Sequence, residues 1–126
     1  MITKEYMDLI SMITENTKSK KIVWEETDIK GIFRTRLGQG YITIEKNYFM
    51  HNTNSRIIFS VINEKGVEAK SISCNNKESD IVFYNLLHSL YNAAKSSYLK
   101  VNETLDSMFE ELNSLEKKYI DQITEK

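Results

Sequence analysis

Between Lys77 and Ile123 the chain holds neither glycine nor proline, and its large apolar residues alternate at spacings of three and four for five heptads. Tyr84, Tyr91, Tyr98, Leu105, Leu112 and Tyr119 fall at heptad position a, and Leu87, Ala94, Val101, Met108 and Leu115 at position d. A repeat sustained this long predicts a helical segment over 77–123 with a coiled-coil-like stripe. In the first half Phe83 and Leu90 widen the stripe, as a helix covering a sheet requires. After Tyr98 it narrows to a and d with Phe109 added, which suits a helical partner. Residues 100–126 carry 4 Lys against 7 Asp and Glu, a local balance of −3.

Length sharpens this. A continuous helix of ~45 residues spans roughly 67 Å, whereas a six-residue strand spans ~20 Å. A sheet can cover less than half of such a helix. The distal residues must bury themselves elsewhere, and three arrangements do so. The helix breaks near Asn102 and folds back as a hairpin; or it packs on a short N-terminal helix; or it projects and pairs with a second copy or another protein. The unbroken heptad favours projection.

The remainder reads as α+β. Residues 3–16 have helical spacing (Tyr6, Leu9, Ile10, Ile13), with Thr3 as N-cap and Ile2 stapling on Met7. Asn16–Lys21 is polar and reads as a loop. Over 22–73 the period becomes two. Ile22 and Trp24 alternate with charges, Phe33, Thr35 and Leu37 share a face opposite Arg34 and Arg36, and Ile42 and Ile44 alternate with Tyr41 and Thr43. Arg56–Ile62 and Val67–Ser73 complete the set. Leu37–Tyr41 and Asn63–Gly66 have turn chemistry, with Gly66 left-handed, and Asn47–Ser55 is a polar loop. Links this short exclude crossover helices and predict an antiparallel meander of four or five strands. Asn75 with Glu78 resembles a capping box opening the C-terminal helix. Trp24 is expected to anchor the core against that helix. With 126 residues, no proline and no repeat, the chain is expected to form one domain, 1–126.

Little in the sequence points to chemistry. Cys74 precedes a helix N-terminus, where a thiolate is favoured. However, His88 lies roughly 18 Å along the helix, and His51 sits in a loop, so no general base is assured; a small buried residue is the plainer reading. Two histidines and one cysteine, well separated, do not make a zinc site. Gly38-Gln39-Gly40 lacks a following helix N-terminus and reads as a turn rather than a phosphate loop. Glu25/Glu26 and Glu110/Glu111 are sequence neighbours whose side chains diverge, unlike an acid–base pair. No catalytic, cofactor-binding or metal residue is assigned, and the protein is not expected to be an enzyme. Tyr84, Tyr91 and Tyr98 read as core residues with edge-reaching hydroxyls.

Two surfaces stand out. The first is the distal helix: Val101, Leu105, Met108, Phe109, Leu112, Leu115 and Tyr119. It points to an adaptor, inhibitor or regulator that binds a protein partner and forms a homodimer through the same seam. The second is the Arg34/Arg36 sheet face beside Tyr41, within a stretch (18–36) of local charge +3, which would suit nucleic acid or a small nucleotide. A net charge of −1 and 14 Lys against 3 Arg count against nucleic acid. The N-terminus shows no secretory apolar run, no stretch approaches the ~20 residues of a membrane span, and the single cysteine suits a reducing compartment. A cytoplasmic location is expected, and abundant Ile, Lys and Asn suggest an AT-rich bacterial or phage genome.

Overall fold

A computed structural model describes residues 3–48, 55–76 and 81–124, with the side chains of Asn102 and 121–124 outside the described set. The order is α1 (Lys4–Lys18), β1 (Glu25–Glu26), β2 (Ile32–Leu37), β3 (Gly40–Tyr48), β4 (Ser55–Ile62), β5 (Glu68–Asn75), α2 (Ile81–Leu99) and α3 (Val101–Thr124). The strands form a five-stranded antiparallel meander in the order β1-β2-β3-β4-β5. This is the α+β architecture that the change of period predicts.

Alternation sorts the sheet into two faces. Phe33 and Thr35, Ile42 and Ile44, Ile57 and Phe59, and Ile72 and Cys74 are buried on the inward face. Helix α2 touches all five strands there, and α1 lies beside α2. Ile10 and Ile13 from α1 join Phe83, Leu87, Leu90 and Ala94 from α2 in the core. Leu87 and Leu90 have no exposed surface; burying such a side chain stabilises the fold by about 1.5–3 kcal/mol.

Local chemistry sets the boundaries. The Thr3 hydroxyl accepts from the Tyr6 N–H at 3.4 Å, as an N-cap should. Helix α1 runs to Lys18, slightly past its expected end. The chain then reverses through Lys20 (φ 66°), with Asn16 O accepting from the Lys21 and Ile22 N–H groups. That reversal is why Ile22 and Trp24, which alternate like strand residues, lie outside β1. The Trp24 N–H donates to Ser97 Oγ on α2 at 3.1 Å, and its indole Nε1–H donates to Thr17 Oγ1 on α1 at 2.9 Å. Trp24 is 3% exposed and ties both helices to the start of the sheet.

The turn Gly38-Gln39 joins β2 to β3, and Gly40 is required for a steric reason. A Cβ there would sit 2.2 Å from the Ile62 carbonyl oxygen of β4. In the Asn63–Gly66 turn, Gly66 takes the left-handed conformation at φ 80° and donates to Asn63 O at 2.9 Å.

The sequence pattern is compatible with a continuous distal helix or one broken near Asn102. The chain breaks at Lys100, which has φ 53° and ends α2 in a left-handed residue. Its N–H donates to Ser97 O at 3.2 Å, and its carbonyl accepts from the Thr104 N–H at 2.9 Å, so Lys100 both closes α2 and opens α3. No hairpin results: none of the described α3 side chains is buried. The five-heptad stripe is therefore two stripes, one on α2 inside the core and one on α3 outside it. The expected Ile2 staple, the Asn75/Glu78 capping box and His51 involve residues outside the described set. Among the described residues no helix is long and apolar enough to cross a membrane.

Candidate interaction surface

Helix α3 is two dozen residues with neither glycine nor proline, about 36 Å long at the standard rise. At 100° per residue, Val101, Leu105, Met108, Phe109, Leu112, Leu115, Tyr119 and Ile120 fall within an arc of roughly 140°. Ile120 lies off the heptad seam but eleven residues from Phe109, which returns it to the same side; a 3.6-residue period finds it where the heptad misses it. The arc contains one charge, Glu116. All eight apolar side chains are open to solvent, from 37% for Val101 to 64% for Tyr119. The seven residues expected from the sequence thus share one exposed face. Single exposed leucines are ordinary, but a contiguous stripe of large apolar side chains is rare on a folded protein's surface. Around it, residues 101–124 hold six Asp and Glu against two Lys.

At its base α3 meets the body lightly. Lys20 Nζ lies 3.6 Å from Glu103 Oε1, with both side chains about half exposed, a pair worth little in water. Both residues border a cleft of about 590 Å³ between the ends of α1 and α2, together with Lys18 and Lys100 and a floor including Ser89, Ala93 and Ser96. The sequence pattern did not point to this cleft, because it depends on the turn at Lys100.

Among the described residues no helix packs on the outward face of the sheet. Register puts Arg36 opposite Tyr41 and Arg34 opposite Thr43, so the three expected residues are neighbours. The Arg34 guanidinium lies 5.6 Å from the Tyr41 ring centroid. It is also held by Glu25 of β1, with Nη2 at 2.8 Å and Nε at 3.0 Å from the same carboxylate oxygen. Glu25, one of the three acids already counted in the +3 of this stretch, thus lies against Arg34 where a ligand would need a free cation. Arg36 is exposed.

A polar group that the sequence reading missed lies on the inward face near one side of α2. Lys46 Nζ donates to His88 Nε2 at 3.0 Å, and the Asn92 amide lies 3.3 Å from Nδ1. Tyr84 stacks on the imidazole at 5.7 Å between centroids, and Lys46 lies 6.0 Å from the Tyr91 ring centroid. An ammonium can only donate, so Nε2 accepts and the neutral ring carries its proton on Nδ1, which the Asn92 amide can meet only with its oxygen. Burial and then the Lys46 charge lower the His88 pKa. Burial first, then Tyr48, raises that of Tyr91, while Lys46 opposes the rise. The Tyr84 hydroxyl bonds Ser55 Oγ.

The remaining candidates lie elsewhere in the fold. Cys74 is 5% exposed on the inward face of β5, a small residue in the core. Glu25 holds Arg34, and Glu26 accepts from the Gly31 N–H at 3.1 Å. Among the described residues no group of three or more His, Cys, Asp or Glu is arranged to hold a metal. No family model, curated protein or solved structure matches the chain.

Proposed function

We propose that this protein is a non-enzymatic interaction module, a small adaptor, inhibitor or regulator, that binds protein through the apolar face of α3. One observation carries the reading. The stripe on α2 is sunk into the core at Tyr84, Leu87, Leu90 and Ala94 and reaches solvent only toward its end at Tyr98, while the stripe on α3 stands in water along its whole length. Exposing that much apolar surface is unfavourable, and a partner helix or groove would remove it from solvent with the a and d side chains as anchors. The module would work in a reducing cytoplasm, where the thiol of Cys74 persists.

Site-specific photo-crosslinking tests this. Benzoylphenylalanine placed at Leu112 is expected to form protein adducts in cells, and the same group at Arg36 is not. Absence of any adduct at position 112, with the chain folded, refutes the reading. The alternative is a nucleic-acid or small-nucleotide site at Arg34, Arg36 and Tyr41. Its residues do lie together, but Glu25 occupies the best-placed cation. It would be revealed by a salt-sensitive interaction lost in the double variant Arg34→Ala/Arg36→Ala.

A further inference from the structure

Resting on that reading, we infer that the occupant of the α3 face is α3 of a second copy, running antiparallel about a two-fold axis beside Phe109 and Glu111. Antiparallel coiled helices pair a with d. On this chain, one alignment matches every apolar layer: Val101 with the second copy's Tyr119, Leu105 with its Leu115, and Met108 with its Leu112, each occurring twice by symmetry. No layer is left with a polar residue. On one flank Phe109 meets its own copy across the axis; on the other, Glu111 does the same.

The competing arrangements fare worse. Parallel helices also stack the apolar layers, but they set Glu111 against Glu116 of the partner twice, whereas the antiparallel form has one like-charge meeting. Parallel pairing would also bring both globular bodies to the same end of a helix about 36 Å long. Antiparallel pairing separates them. Shifting the antiparallel register by one heptad creates two Glu111–Lys118 pairs, but it sets Leu105 against Gln122 and leaves Val101 without a facing apolar residue. Exposed ion pairs are weak beside the burial of such side chains, so the full alignment wins.

Area supports the same occupant. The α3 stripe leaves on the order of 700 Å² of side chain per copy in water, so a symmetric pair covers roughly 1,400 Å², within the range of stable specific interfaces.

The experiment is light scattering on the full chain, followed by cysteine crosslinking in a Cys74→Ser background. The wild type is expected to be a dimer at micromolar concentration, and Leu112→Glu to raise its dissociation constant at least 100-fold without loss of the sheet's circular dichroism. Glu111→Cys should give a disulfide-linked dimer on mild oxidation. Val101→Cys should not, because those positions lie about 27 Å apart in the antiparallel pair. A monomeric wild type overturns the self-pairing. If position 112 still crosslinks to another protein, the interaction reading survives it; if it crosslinks to nothing, both fall. A dimer that survives Leu112→Glu, or one linked through Val101→Cys but not Glu111→Cys, also overturns the proposal.

Discussion

Leu87 and Leu115 are the same side chain at the same heptad position, yet the first is 0% and the second 53% exposed. Truncating each to alanine separates the two helices energetically. Leu87 sits in the core, and Leu87→Ala leaves a cavity as well as losing burial, which costs about 2–5 kcal/mol. For a domain of this size each kcal/mol moves the melting temperature by about 4 °C, so a fall of about 8–20 °C is expected. Leu115→Ala removes a half-solvated side chain from a helix the body barely touches. Its cost to the body is expected below ~0.5 kcal/mol. Trp24, the only tryptophan, is buried between α1 and α2, so its fluorescence reports the body alone. Urea melts followed at Trp24, at concentrations low enough that the midpoint no longer depends on protein, make the comparison. Equal shifts from the two substitutions would refute the reasoning, because α3 would then share the body's cooperative unit.

Four further outcomes follow from the same geometry. Thr17→Val strips the acceptor from the buried Trp24 indole N–H and should cost about 1–3 kcal/mol in the same melts. Gly40→Ala forces a Cβ against the Ile62 carbonyl and should destabilise by about 1–3 kcal/mol, with amide exchange quickening first across the β3–β4 ladder. Lys100→Gly relieves a left-handed lysine and should stabilise by up to about 1 kcal/mol, seen as a higher urea midpoint. The fold prefers neutral His88, so its folded pKa lies below the unfolded value of 6.5. Its contribution is complete above about pH 6.5 and is lost as pH falls through the folded value. The urea midpoint should therefore drop from pH 7.5 to 5 by more in the wild type than in His88→Gln.

How far these features were legible in the sequence depends on what each one requires. The meander was legible because alternation at Phe33–Leu37 and Ile42–Ile44 and the short apolar run of Arg56–Ile62 are local properties, and short turns leave no other way to connect them. The α3 stripe was legible for the same reason. The position of the break was not. Lysine has no preference for left-handed backbone, so nothing at Lys100 announces a stop as a glycine would. The fate of Arg34 was hidden too. Its neutralisation by Glu25 depends on β1 pairing with β2 in a register where Glu25 faces Arg34, a relation between residues nine apart that no periodicity encodes. The Lys46–His88 contact joins residues 42 apart and requires α2 to be laid across β3.

The meander order places β1 and β5 at its margins, and neither invites another strand. The β1 margin is only two residues long, and both are glutamates. The β5 margin begins with Glu68 and Lys70, exposed charges that oppose an incoming chain. Such margins prevent open-ended stacking of sheets. A stripe on one helix, by contrast, is saturated once a single partner covers it. Association through α3, as proposed, would thus be directed to a finite assembly rather than a fibre, and a sequence change that made Glu68 or Lys70 apolar would be the first place to look for aggregation.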